Sequence, residues 1–142
     1  MTTEPPDADS PEDDLQLSIV GLRTRPEDSA PGEMAVDLNT TRGVIETMLH
    51  PCEGKTGCAI FVGGAMAGLD GPADKIYERL GRDLVAAGVT SLRVQWRKPG
   101  EFEECVMDAL AACSFLRGIG AERAVIVGHS FGGAVAVKAG EL

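Results

Sequence analysis

Two continuous apolar runs, CAIFV (58–62) and AVIV (124–127), constrain the fold of this chain more than any other feature. CAIFV is typical of a strand that is buried on both faces of a sheet, and AVIV indicates another buried strand. Between them lie a helical pattern (72–88), a strand pattern with alternating apolar residues (90–96) and a second helical pattern (101–117). This alternation predicts an α/β fold, with a mostly parallel sheet, right-handed crossovers and flanking helices.

Patterns on either side of this region extend the predicted fold. LQLSIVGL (15–22) and GVIETMLH (43–50) each indicate a strand, and the polar segment 23–33 indicates a loop. Because these two strands are joined more loosely than the later ones, we expect them to add an antiparallel edge to the sheet. A short helix of small residues is predicted over 130–140.

Each long helical pattern has an apolar stripe that predicts the face turned towards the sheet. In the first helix, Ile76, Leu80 and Leu84 repeat at four-residue steps. Pro72 suits its first turn, and Asp74 favours the positive end of the helix dipole. The stripe of the second helix consists of Phe102, Val106, Ala109, Leu110, Cys113 and Leu116.

The net charge of −9 is concentrated at the N-terminus, where residues 1–14 contain six acidic residues and no basic one. A segment that is acidic, Pro-rich and nearly free of apolar residues predicts a disordered tail, followed by a domain at 15–142. The chain has no basic patch with interleaved aromatic residues, no long apolar run and no secretory signal. We therefore expect no nucleic-acid partner, no membrane association and a cytoplasmic location.

The cysteines and the glycine-rich stretch predict neither a metal nor a cofactor. Cys52, Cys58, Cys105 and Cys113 form no C-x-x-C pair, and the chain has only two histidines. Cys105 and Cys113 lie on a helical stripe, where cysteine usually acts as a small hydrophobic residue. The stretch 63–71 lacks the GK[ST] ending of a phosphate-binding loop and the G-x-G-x-x-G pattern of a dinucleotide site.

The residues directly after AVIV indicate catalytic chemistry. GHSFG (128–132) matches G-x-S-x-G between a predicted strand and a predicted helix, where a nucleophilic serine needs a sharp, strained turn. The residues two before and two after the serine crowd each other, so Gly128 and Gly132 are required, and Gly133 is expected to let the helix approach the sheet. The helix N-terminus offers backbone N–H groups to a developing oxyanion.

The chain resembles the α/β-hydrolase superfamily in three features: the GHSFG motif, the glycine-rich loop after CAIFV and the order of its strands and helices. That family includes esterases, lipases, thioesterases and dienelactone-hydrolase-like proteins. The resemblance covers about residues 15–142 and only the N-terminal part of the family's fold. It implies that Ser130 is the nucleophile and that the N–H of Phe131 is one oxyanion donor.

The resemblance places the second oxyanion donor in the loop after CAIFV, where family members often have His-Gly. This chain has Gly63-Gly64, so the N–H of Ala65 is the first candidate and that of Met66 the next. Many members also carry Asp-x-Arg-Gly-x-Gly after the following strand, whereas this chain has QWRKPG (95–100). These departures leave the subfamily and the substrate open.

The remaining parts of a catalytic triad are not apparent. A serine hydroxyl needs a histidine that takes its proton and a carboxylate that orients the histidine. In the family both follow the serine, but after Ser130 this chain has one acid, Glu141, and no histidine. We expect His129 to point away from Ser130, and His50 to be a structural histidine with satisfied hydrogen bonds.

The predicted function is hydrolysis of an ester or thioester through an acyl-enzyme on Ser130, without a cofactor. Because the base and acid are missing, we expect the chain to be the N-terminal part of a hydrolase, incomplete or inactive alone. Its AVIV strand would then be an open apolar edge that invites self-association. An acyltransferase on the same elbow, and a non-catalytic interaction module or pseudoenzyme fragment, are the alternatives.

Overall fold

The computed structural model describes residues 16–66 and 68–142, so the predicted disordered tail at 1–14 lies outside the described residues. The strands are β1 (Ile19–Arg25), β2 (Met34–Thr40), β3 (Gly43–His50), β4 (Gly57–Val62), β5 (Thr90–Val94) and β6 (Arg123–Gly128). The helices are α1 (Pro72–Ala86), α2 (Phe102–Gly118) and α3 (Phe131–Gly140), and a short 3-10 turn (Pro26–Asp28) follows β1.

The six strands form one mixed sheet in the order β1-β2-β3-β5-β4-β6. β4 lies between β5 and β6 and is parallel to both, as the alternation of strands and helices predicts. β1, β2 and β3 form an antiparallel meander, and β3 is also antiparallel to β5. The α/β class and the antiparallel edge are confirmed. The prediction of a mostly parallel sheet is wrong for the described residues, because three of the five strand pairings are antiparallel.

The sequence patterns missed β2 and ended β1 too early. Asp37 and Asn39 interrupt the apolar residues of MAVDLNT, so no clear strand pattern remains. Asp37 is nevertheless buried, because Arg25 Nε donates a 3.1 Å hydrogen bond to its Oδ1. Residues 23–25, predicted to belong to a loop, continue β1, since Arg23 and Arg25 pair with β2. An ion pair across two strands cannot be read from either strand alone.

The main core lies on the sheet face covered by α2 and α3. Alternate residues of β4, including Ile60 and Val62, pack there with Leu92 and Val94 of β5. The other residues of β4, Ala59 and Phe61, face α1 on the opposite side. Helices therefore cover both faces of the sheet, as predicted. In the part of the chain that the structure describes, no helix is long and apolar enough to cross a membrane.

The start of α1 differs from the prediction. Ala73, Asp74 and Lys75 all have left-handed backbone angles, with φ between 52° and 60°, so regular right-handed helix begins only after them. Pro72 and Asp74 are therefore not in the first turn of a right-handed helix. Tyr77 then anchors the helix: it is buried, its ring stacks on Phe61 at 4.9 Å, and its hydroxyl donates a 2.8 Å hydrogen bond to the Val62 carbonyl.

Helix α2 is buried on more sides than its predicted stripe indicates, because it packs against both the sheet and α3. Leu110 and Cys113 are half-buried and pack against the main core, whereas Phe102 is 38% exposed, so the stripe is wrong at Phe102. Glu104 and Asp108 are buried instead. Cys105 is fully buried, as expected of a small hydrophobic residue.

β6 is the outermost strand on its side of the described sheet. The prediction that AVIV is a buried strand is wrong, since Val125 is 64% exposed. An apolar groove of about 550 Å³ runs along this edge, between β6 and α1. Val125, Val127, Leu80 and Leu84 are among the residues that line it. The expected open apolar edge is therefore present in the described residues.

Candidate active site

Ser130 occupies the turn between β6 and α3 with φ 57° and ψ −120°. A side chain in this region of backbone space costs about 1–3 kcal/mol, and surrounding structure must hold it there. Ser130 is exposed, whereas Gly132, two residues later, is buried. The turn therefore presents a serine hydroxyl at the end of a strand, as a nucleophile needs.

The glycines beside Ser130 show what holds the turn. A Cβ atom on Gly128 would overlap the Gly132 carbonyl and lie 2.7 Å from the Gly133 nitrogen. A Cβ on Gly132 would overlap the Gly63 carbonyl oxygen and lie 2.9 Å from that of Val62. A Cβ on Gly133 would meet only the Gly128 oxygen at 3.8 Å, an ordinary contact. The structure thus requires glycine at 128 and 132, but the predicted need for Gly133 is wrong.

The loop after β4 lies against this turn. A Cβ on Gly64 would be 3.9 Å from both the Ser130 Cβ and the His129 carbonyl oxygen. Ala65, the next residue, is half-buried, whereas Met66 is 93% exposed. The loop that carries the first candidate for the second oxyanion donor is therefore a neighbour of the serine. Ala65 remains the better candidate, and its role stays a prediction.

The other predicted donor is the N–H of Phe131, the first residue of α3. The first N–H groups of a helix have no carbonyl partner within the helix. Those of Gly132 and Gly133 donate 2.9 Å hydrogen bonds to the carbonyls of His129 and Ser130. The Phe131 ring packs edge-on against Trp96 and Phe102, with centroids at 6.4 and 6.1 Å. These contacts fix the ring of Phe131, and the role of its backbone N–H stays a prediction.

Trp96 is a residue of this site that sequence reasoning missed. It follows β5, is 2% exposed, and its indole Nε1–H donates to the carbonyl oxygens of both Gly63 and Gly64 at 3.2 Å. The sequence presents Trp96 only as the last apolar residue of an alternating strand. Its polar nitrogen was the available signal, since a buried indole N–H usually finds a hydrogen-bond acceptor.

A buried ion network fixes the segment that follows Trp96. Arg97 pairs with Asp108 and with Glu104, and the Arg97 backbone N–H donates a 2.9 Å hydrogen bond to Asp108. Arg42, in the turn between β2 and β3, also pairs with Glu104. The hydrogen bond from Arg42, together with Arg97, lowers the pKa of Glu104 from 4.5 to about 2. The network joins the strand meander, the β5 end and α2.

His50 is not placed as a base for Ser130. His129 is exposed, and its carbonyl supports the turn. His50 is 1% exposed and pairs with Ser91 on β5, which pairs with Ala59 on β4. Three strand spacings separate β3 from β6, or about 14 Å. His129 is the only other histidine of the chain, and its expected orientation away from Ser130 stays a prediction.

The prediction that His50 has satisfied hydrogen bonds is wrong for one of its nitrogens. Nε2 accepts a 3.1 Å hydrogen bond from Arg93, whereas Nδ1 has no partner within the described residues. Burial, followed by the charge of Arg93, lowers the pKa of His50, so the neutral form is favoured. This histidine belongs to a buried cluster with Glu33 beneath α1.

The single acid after the serine is also distant. Glu141 lies at the other end of α3, about 15 Å along the helix from Ser130, where it pairs with Lys138. Within residues 16–66 and 68–142, no three His, Cys, Asp or Glu side chains are grouped so that they could hold a metal ion. The site thus consists of an exposed serine and nearby backbone N–H groups.

Comparison with solved structures finds this arrangement of strands and helices in α/β-hydrolases. A dienelactone hydrolase from Anabaena variabilis is similar over 75% of this chain and 56% of its own, with TM-score 0.65 and 18% identity. An α/β serine hydrolase without a lid from Xanthomonas campestris matches over 80% and 57%, with TM-score 0.61 and 19% identity. A cold-adapted esterase from an Arctic intertidal metagenomic library matches over 82% and 59%, with TM-score 0.59 and 14% identity.

At these identities the likeness shows the fold: the chain has an α/β-hydrolase-like core. It spans little more than half the length of these three proteins. No protein-family model and no curated protein matches the sequence.

Proposed function

We propose that this chain carries the nucleophile and the oxyanion hole of a serine hydrolase that cleaves esters or thioesters. The observation that carries the proposal is the backbone of Ser130, which is held at φ 57° at the exposed end of β6 although serine disfavours this conformation. A protein retains about 1–3 kcal/mol of strain at one residue only where surrounding structure enforces it, and functional sites are the usual place.

In the proposed reaction, the Ser130 hydroxyl oxygen attacks the carbonyl carbon of the substrate and loses its proton to a base. The carbonyl oxygen becomes an oxyanion, which accepts hydrogen bonds from the N–H groups of Phe131 and Ala65. Collapse of this intermediate expels the alcohol or thiol and leaves an acyl group on Ser130. Water then attacks the acyl group, and the acid is released with regeneration of the serine.

The base and its orienting acid are proposed to come from polypeptide other than the described residues. His50 is buried three strands away, and Glu141 lies at the far end of α3. β6 is the outermost strand of the described sheet, so another strand can pair with its free edge, and a second copy of the chain is one source of that strand. Without such a partner we expect the chain to be inactive or slow.

Fluorophosphonate labelling of the purified chain tests the proposal, with Ser130→Ala as the control. Labelling that is confined to Ser130 and lost in the variant supports an acyl-enzyme on this residue. Labelling that persists in Ser130→Ala contradicts the proposal. Absence of labelling from protein shown to be folded by circular dichroism is the result expected where no base reaches Ser130 within the chain.

A second candidate function is a non-catalytic interaction module, and the exposed apolar edge at Val125 favours it. Sedimentation of the unlabelled chain separates the two. A stable assembly through β6, with Ser130 unreactive in it, supports the interaction module. A reactive Ser130 in either the monomer or the assembly supports the hydrolase.

A further inference from the structure

The buried indole of Trp96 contacts the two parts of the proposed oxyanion hole. Its Nε1–H donates to the Gly63 and Gly64 carbonyl oxygens at 3.2 Å, and its ring packs edge-on against Phe131 at 6.4 Å. Residues 63–66 continue from β4, whereas Phe131 begins α3. One side chain, two residues beyond the end of β5, thus links the loop to the turn that carries the serine.

The hydrogen bond to Gly64 has a consequence for the next amide. The peptide unit between Gly64 and Ala65 is planar and trans, so its carbonyl oxygen and its N–H point in opposite directions. Since the Gly64 oxygen is held by the Trp96 indole, the Ala65 N–H points away from the indole. Rotation of this peptide by half a turn would break that hydrogen bond.

We propose that Trp96 is a positioning residue, which holds the Gly64–Ala65 peptide with its N–H available to an oxyanion and its carbonyl withdrawn. This inference rests on the proposed hydrolase function and adds a residue to it. The role is assigned to the indole N–H of Trp96 and not to the bulk of its ring. A carbonyl in place of the N–H would repel the developing negative charge.

The position of the indole is itself fixed by its neighbours. Trp96 is followed by Arg97, whose guanidinium and backbone N–H are both held by Asp108 of α2. Edge-to-face contact with Phe131 holds the ring from the other side. The indole N–H can therefore act as a rigid support for a loop that has glycine at two consecutive positions.

Tryptophan occurs once in the chain, so incorporation of a tryptophan analogue alters residue 96 alone. We would replace it with β-(3-benzothienyl)alanine, in which sulfur takes the place of the indole N–H and the ring shape is retained. The readout is the rate of fluorophosphonate modification at Ser130, resolved into reversible binding and covalent reaction. Phe102→Leu is the packing control, since Phe102 also touches Phe131 but has no hydrogen bond to the loop.

We expect the analogue to leave reversible binding unchanged and to slow the covalent step by about tenfold, less than the loss of a whole donor. Phe102→Leu is expected to keep the covalent step unchanged. Modification of the analogue protein at the normal covalent rate would overturn the inference. A loss of binding alone would also overturn it, because it would indicate a packing role.

A crystal structure shows the orientation of the Gly64–Ala65 peptide without any reaction at Ser130. The inference about Trp96 can therefore be tested separately from the proposed hydrolase function. If the unaltered chain is not labelled, no base reaches Ser130 in it, and a crystal structure of the analogue protein decides the role of Trp96. We expect the Gly64–Ala65 peptide to be rotated or to occupy two orientations there. A single, unrotated peptide would overturn the inference.

Discussion

The two adjacent glycines after Phe131 provide a matched test of the turn geometry, because their predicted effects have opposite signs. In Gly132→Ala, the new methyl group overlaps the Gly63 carbonyl oxygen and lies 2.9 Å from that of Val62. Both obstacles are backbone atoms, so a side-chain rotation cannot relieve the clash. In Gly133→Ala, the methyl group meets only the Gly128 oxygen at 3.8 Å.

The expected changes in the free energy of unfolding follow from these contacts. Overpacking typically costs about 1–3 kcal/mol, and we place Gly132→Ala at about 3 kcal/mol because the backbone must move. Gly133→Ala exchanges glycine for alanine inside a helix, which stabilises by about 0.5–1 kcal/mol. For a chain of this size, the first change corresponds to a decrease in Tm of about 10 °C.

Urea unfolding of the two variants and the unaltered chain measures both effects, with circular dichroism at 222 nm and Trp96 fluorescence as independent probes. Coincident transitions justify a two-state free energy of unfolding. Two results would contradict this prediction: equal destabilisation of the two variants, or unfolding of Gly132→Ala at the same urea concentration as the unaltered chain. Either result would mean that the turn does not press against the loop after β4.

Three further predictions concern strain, burial and pH. Ser130→Gly should raise the free energy of unfolding by about 1–2 kcal/mol through relief of the left-handed strain, whereas Ser130→Ala should not; equal stability of the two variants in urea would contradict this. Asp108→Ala should cost about 3 kcal/mol in the same assay, since it removes one ionic partner of the buried Arg97 and the acceptor of its backbone N–H; a loss below 1 kcal/mol would show that Glu104 suffices. Arg42 and Arg97 lower the pKa of Glu104 from 4.5 to about 2, so ionised Glu104 contributes about 2 kcal/mol to the free energy of unfolding. This contribution is complete above pH 4.5 and is lost as the pH falls towards 2. The difference in unfolding free energy between the unaltered chain and Glu104→Gln should therefore shrink over that interval; a constant difference would argue against the pairing.

Local sequence patterns were sufficient to predict elements that depend only on neighbouring residues. CAIFV needs only its run of apolar residues to predict a strand, and GHSFG needs only its glycine spacing to predict a tight turn. They were insufficient where burial depends on a partner distant in sequence. Asp37 and Asp108 look like surface residues until Arg25 and Arg97 are placed beside them. The resemblance to α/β-hydrolases was likewise confirmed as a structural one.

Backbone sterics and apolar periodicity over a few neighbouring residues were enough to predict the alternation of strands and helices, the turn at Ser130 and the glycines at 128 and 132. The antiparallel pairing of the meander, and the hydrogen bonds from the Trp96 indole to Gly63 and Gly64, became visible only in the folded chain. These contacts join residues that are far apart in the chain, and their free energy arises only when the sheet brings them together.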